Sequence, residues 1–214
     1  MAKDDQMIMV IGRNSLFSQK KGPLFEGFCL QETFDYEQRI LRHYAFMRRG
    51  DVEPNPAWKQ PIAYGLIVNP NLQKFFVYQR STKDEQYGEK RLQGKWSLGI
   101  GGHIERQDLA NGNMIRDSFL RELREEVTFD GPKEISVLGY INDEADSIGQ
   151  VHFGILYLVK TDAKEVFPND EEIAKGCLKS LDEIENLFSQ DGVKIEGWSK
   201  IAFNVLKSLK GKYF

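Results

Sequence analysis

The stretch Trp96 to Phe129, WSLGIGGHIERQDLANGNMIRDSFLRELREEVTF, constrains this chain most. Trp96 to Ile100 is apolar and short enough for a strand. A glycine turn follows at Gly99, Gly101 and Gly102. Asn113 then offers an N-cap for a helix from Met114 to Thr128. At ~100° per residue, Glu122 and Glu126 lie about 40° apart, with Glu125 about 60° to the other side. Phe119, Leu120, Leu123 and Val127 occupy a different arc, so the helix buries one face and turns a triple carboxylate edge elsewhere. Like charges at i,i+4 repel, and a cation offsets that cost. Hard divalent cations such as Mg²⁺ or Mn²⁺ take oxygen ligands of this kind. A solvated Glu-rich face is the alternative for the helix alone, and a tight strand exit is the alternative for the glycines.

The rest of the chain sets the context. Met7 to Ile11 has the composition of a strand. Thr33 or Asp35 caps a predicted helix running to about Arg48, with Tyr36, Ile40, Leu41, Tyr44 and Met47 at helical spacing. Three prolines in residues 49 to 61 mark an irregular connection. Residues 1–60 are therefore expected to form an N-terminal extension packing on a core domain of residues 61–214. Ile62 onward, IAYGLIV and KFFVYQR flank Asn69-Pro70-Asn71, a hairpin signal. Residues 81 to 95 form a charged loop. Glu134 to Ile141 and Gln150 to Val159 are two further strands. Ser180 caps LDEIENLF, and Trp198, Ile201, Ala202, Val205, Leu206 and Leu209 stripe a C-terminal helix. Strands and helices mix without regular alternation, which predicts an α/β or α+β layered sheet.

Charge excludes one class of partner. The net charge of −3 provides no basic field for a nucleic-acid polymer. No apolar run is long enough to span a bilayer, and the first residues lack a signal-peptide pattern. Cys29 and Cys177 have no metal or redox spacing and suit reduced thiols in a cytoplasmic protein. GIGGHI is not the dinucleotide fingerprint, because Ile104 stands where the third glycine belongs, and no P-loop is present.

Taken together, these residues resemble the signature of the Nudix (MutT-like) hydrolases, in a branch of MutT-type phosphoesterases. Gly102 matches the first glycine. Asp108 stands at the first Glu position, and Arg121, Glu122, Leu123, Glu125, Glu126 and Phe129 match the second half. Twelve residues separate Asp108 from Arg121 where the pattern has seven, so Leu109 to Asn113 or so is an inserted loop. Thr128 replaces the final glycine, leaving Asp130-Gly131 to end the helix. The resemblance covers roughly residues 60 to 190.

It implies an α/β/α sandwich around a mixed sheet and metal-dependent hydrolysis of a diphosphate in a nucleoside diphosphate derivative or similar compound. Carried onto this chain, Glu122, Glu125 and Glu126 hold Mg²⁺ (or Mn²⁺) with a backbone carbonyl near Gly101 or Gly102, and Arg121 orients the carboxylates. Arg80 and Arg91 are candidate phosphate clamps, and a charged surface loop is the alternative for both. His103 is a candidate substrate contact and Glu172 a candidate general base. His152 fits a satisfied strand histidine. Tyr36, Tyr44, Trp58 and Tyr87 offer rings for a nucleobase or for the core. The competing function is a catalytically silent Nudix-like module that senses a nucleotide. A prenyl diphosphate isomerase lacks a cysteine near the box. The expected partner is a small-molecule diphosphate, and homodimers are common in the family.

Overall fold

The computed structural model describes residues 3–18, 22–82, 92–108 and 112–211. The first elements are β1 (Met7–Gly12), α1 (Arg13–Leu16), β2 (Gly27–Leu30), α2 (Tyr36–His43), β3 (Ala45–Arg48) and α3 (Arg49–Val52). Next come β4 (Trp58–Asn69), β5 (Lys74–Arg80), β6 (Trp96–Ser97), β7 (Gly99–His103) and α4 (Met114–Glu126). The chain continues through β8 (Val127–Thr128), β9 (Glu134–Asn142), β10 (His152–Lys160), β11 (Phe167–Pro168) and β12 (Ile173–Ser180). It closes with α5 (Leu181–Phe188) and α6 (Gly197–Leu209). The result is the expected mixed α/β class, with a large sheet and helices.

The chain forms two compact units. The first holds Met1–Tyr64, Gly101–Glu122 and Val137–Tyr157. In it β1 pairs antiparallel with β3, from Met7↔Arg48 to Val10↔Ala45, and through Ile11 and Gly12 with the start of β4. Ile8, Val10 and Val52 are fully buried together, with Met47 and Trp58 against them. A second, aromatic cluster joins Phe17, Phe25, Tyr36, Tyr140 and Phe153 at ring distances of 5.1 to 6.4 Å. Tyr36 is thus core, its hydroxyl donating to the Pro23 carbonyl. Burial raises the Tyr36 pKa to about 12.

One predicted helix is shorter than its periodicity. Asp35 caps α2 through Gln38 N at 2.9 Å, as expected, but the helix ends at His43. Tyr44 turns extended, and Ala45–Arg48 becomes β3. The apolar stripe at Tyr44 and Met47 suits either period, and the backbone partners offered by β1 decide the outcome.

The second unit holds Gly65–Ile100, Leu123–Ser136 and Leu158–Phe214. The predicted hairpin forms, with Val68↔Phe75 and Asn69↔Lys74 in register. Asn69 Oδ1 accepts from Leu72 N at 3.0 Å, and Gln73 takes the positive φ of 52°. β12 pairs along β5 from Ser180↔Lys74 to Ile173↔Arg80. Ser180 and Glu183 form a complete capping box on α5. The C-terminal stripe is buried as predicted at Ala202, Val205 and Leu206, and Phe203 joins it against Phe188 at 5.4 Å.

A buried charge cluster in the first unit sets an acid response. Arg13 forks onto Glu144 at 2.6 and 2.8 Å, and the fully buried Lys59 ammonium lies 3.3 Å from the same carboxylate. The Arg13 bonds, aided by Lys59, pull the Glu144 pKa down to about 2 from an ordinary 4.5. A depressed carboxyl stabilises the fold above its unfolded pKa and loses that contribution as pH falls through the folded one. Glu144→Gln should therefore raise the midpoint of acid unfolding, followed by circular dichroism. The destabilisation relative to wild type should be full near neutrality and fade as pH falls from about 4.5 to 2. A pH-independent difference would contradict this.

Candidate active site

The local sequence forces the signature loop into place. Gly101 has φ +146°, and a Cβ there would sit 1.7 Å from the Ala63 carbonyl oxygen. Only glycine lets β7 approach β4 this closely. At Gly102 the missing side chain makes room for Glu122: a Cβ would lie 2.6 Å from Glu122 Oε1. The carboxylate and the glycine backbone are thus packed directly together.

Arg121 organises this group. Its Nε donates to Asp108 Oδ1 at 2.7 Å and Nη2 to Asp108 Oδ2 at 3.1 Å. Nη1 donates to Glu122 Oε1 at 2.7 Å, and Nη2 also reaches the His103 carbonyl at 3.2 Å. Asp108 is buried, and its Oδ2 also accepts from Glu105 N at 2.7 Å. Bonding to Asp108 raises the Arg121 pKa further above its ordinary value, so the guanidinium is permanently charged. Aspartate at the first acidic position is therefore no defect: it is a buried fork for Arg121. The sequence pattern assigned Arg121 to the carboxylates but did not pair it with Asp108.

Asn113 Oδ1 accepts from Arg116 N at 3.1 Å and caps α4 as expected. Met114, Ile115, Phe119 and Leu123 are buried, with Phe119 stacked on Tyr157 at 4.6 Å. The helix ends at Glu126, two residues earlier than predicted, because Val127 and Thr128 pair with Pro168 and Phe167. Asn169, rather than Asp130-Gly131, serves the helix end. Its backbone N–H donates to the Glu126 carbonyl at 2.8 Å and its side chain to Thr128 Oγ1 at 2.7 Å. Glu125 is exposed and Glu126 half-buried. On one helix they follow Glu122 by three and four residues, which keeps all three on one edge.

The remaining candidates fall in different surroundings. His103 Nε2 lies 2.8 Å from Gln60 Oε1 and 3.3 Å from His152 Nε2, so the ring faces β4 and β10. Arg80 donates through Nε to Glu196 Oε1 at 2.6 Å and lies over the Tyr78 ring. Glu196 is 6% exposed and accepts also from Ser97 Oγ at 2.9 Å. Glu172 is half-buried; its carbonyl accepts from Ser81 N at 2.7 Å. Arg91, Tyr87 and most of the inserted loop lie outside the described residues. Sequence reasoning missed Glu196, Gln60 and Glu53. The signal for Gln60 was a Lys-Gln pair at 59 and 60, at the head of an apolar strand.

Glu122, against the Gly102 backbone, supplies oxygen donors of the kind a hard divalent cation takes. The space left by Gly102 is already used by Glu122, so the carboxylate nearest the loop is held before any ion arrives. No helix among the described residues is long and apolar enough to cross a membrane.

Comparison with known proteins agrees with the signature. Protein YmaB of Bacillus subtilis (strain 168) is 34% identical over 217 residues, covering 97% of this chain and all of that protein. The crystal structure of Tm1382, a candidate Nudix hydrolase, superposes with a TM-score of 0.75 at 28% identity, over 95% of this chain and all of the other. The NUDIX domain of Shewanella oneidensis NrtR, solved with ADP ribose, shares the fold at TM-score 0.50 and 16% identity, over 70% of this chain and 88% of that one. The NUDIX domain family model matches residues 58–196, and with it the chain belongs to the Nudix family that its signature resembles.

Proposed function

We propose that this chain is a divalent-cation-dependent pyrophosphohydrolase that cleaves the diphosphate linkage of a nucleoside diphosphate derivative. The observation that carries the reading is the packing of Glu122 on Gly102, with Arg121 held on buried Asp108. Glu122, Glu125 and Glu126 would hold Mg²⁺ or Mn²⁺, with a backbone carbonyl near Gly102. When bound, such an ion neutralises phosphate oxygens and acidifies a bound water. The protein's part is to hold the carboxylates aimed. Arg121 does so for Glu122 by a charge-assisted bond, and Asp108 fixes Arg121 in turn. A carboxylate on the α4 edge, or Glu172, accepts the proton of the attacking water. Water adds to one phosphorus, the bridging oxygen leaves with the other phosphate, and the proton goes to that carboxylate.

Arg80, as a phosphate clamp, would have to share its guanidinium between Glu196 and the substrate. His103 is better placed toward Gln60 and His152 than toward a substrate. The silent-module alternative leaned on Asp108 and the inserted loop, and the Asp108–Arg121 pair speaks to the first of these.

The test is turnover of a panel of nucleotide sugars, dinucleotides, nucleoside triphosphates and ADP ribose with Mg²⁺ in ¹⁸O-labelled water. Mg²⁺-dependent release of a monophosphate carrying one ¹⁸O is expected. No turnover of any member would favour a binding module.

A further inference from the structure

A group of side chains of metal-ligating type lies in the first unit, two imidazoles and one carboxylate. Glu53, at the end of α3, meets His103 and His152. One ligand atom from each lies within 4.8 Å of the others. The two histidine Nε2 atoms are 3.3 Å apart. Tetrahedral Zn²⁺ with Zn–N bonds of about 2.0–2.1 Å sets its nitrogen ligands roughly 3.3 Å apart. The separation of the two nitrogens is compatible with a shared tetrahedral ion as well as with a direct hydrogen bond.

The protonation pattern fits as well. His152 Nδ1 sits 2.8 Å from the Ile148 carbonyl, an acceptor only, so Nδ1 carries the proton and Nε2 a lone pair. A backbone carbonyl in this position is the usual outer support of a ligating imidazole. His103 Nε2 faces two acceptors, Gln60 Oε1 and His152 Nε2, and carries its own proton. Ligation moves that proton to Nδ1 without net release. Burial lowers both histidine pKa values, His103 well below the ordinary 6.5.

Two further observations point to an occupant. Gln60 is fully buried, and its Nε2 has no hydrogen-bond partner. A water on an ion held by the three side chains would give it an acceptor. Glu53 Oε1 accepts from Arg49 Nε at 2.9 Å, which fixes the carboxylate. Arg49, Lys3 and Lys59 are cations near this group. Lys59 donates to the His152 carbonyl at 3.2 Å, and its charge is offset by Glu144 at 3.3 Å.

We propose that Glu53, His103 and His152 form a Zn²⁺ site with a water in the fourth position, tying the N-terminal segment to the strand that carries Gly102. Two imidazoles and one carboxylate select a borderline first-row ion over Mg²⁺, so this site and the α4 edge take different metals. It does not depend on the hydrolase reading.

The experiment uses metal-stripped full-length protein, with Zn²⁺ by calorimetry and elemental analysis and Co²⁺ by visible absorption. To silence the α4 edge, the same titrations are run on Glu126→Gln. One equivalent of Zn²⁺ should bind in both, Co²⁺ should give the intense bands of four-coordination, and Zn²⁺ should raise Tm. His152→Ala should weaken Zn²⁺ binding at least roughly 100-fold. Should His152→Ala fail to fold, Glu53→Gln decides: the carboxylate is half-buried and the swap isosteric, with about 10-fold or more weakening expected. Wild type taking up no stoichiometric Zn²⁺, or Glu53→Gln binding it as tightly as wild type, would overturn the site. So would Zn²⁺ binding lost in Glu126→Gln and kept in Glu53→Gln.

Discussion

Asp108→Ala should cost this protein roughly 3–5 kcal/mol of stability, the range for removing one partner of a buried ion pair. Asp108 and Arg121 have side chains only 2% and 17% exposed, and two bonds join them. Deleting the carboxylate takes two bonds from an enclosed guanidinium that still donates to Glu122, the His103 carbonyl and Ser118 Oγ. The Glu105 amide loses its acceptor at the same time. Thermal and urea denaturation measure the loss. Turnover should fall too, because Arg121 loses the buried fork that positions it against Glu122. Asp108→Asn keeps the shape and half of the acceptor set, so it should lose less. A variant as stable as wild type would mean that the pair contributes nothing net.

Glu126→Gln should lower kcat by about 10²–10⁴-fold, the span that a positioned acid–base group supplies. The substitution preserves volume, and the bond from Asn169 N to the Glu126 carbonyl is a backbone contact it leaves in place. Folding is therefore expected to be unchanged, and KM should move less than kcat. Glu122→Gln should be comparably damaging, with a second signature: it removes one of the two carboxylates that pair with Arg121. Turnover within a few-fold of wild type in both variants would mean the chemistry lies elsewhere.

Much of this was legible in the residues. Glycine at 101 and 102 is dictated by contacts a side chain would make, and apolar spacing along α4 named its buried face. Asn113, Asp35 and Ser180 announced helix starts because caps are local chemistry. Helix ends were less visible. His43 and Glu126 stop their helices because β1 and β11 supply strand partners from far along the chain. The Asp108–Arg121 fork spans an inserted loop, and Arg80–Glu196 spans 116 residues, so spacing alone could not pair them. Glu53, Gln60, His103 and His152 come from four places in the sequence and share no motif.

Mn²⁺ binding followed by electron paramagnetic resonance tests the central claim most directly, with wild type, Glu126→Gln and Glu53→Gln titrated side by side. Wild type and Glu53→Gln should bind Mn²⁺ alike, while Glu126→Gln, folded by circular dichroism, should weaken binding at least about 10-fold. Mn²⁺ binding that is the same in all three folded proteins would contradict the assignment of the α4 carboxylate edge as the metal site of the hydrolase.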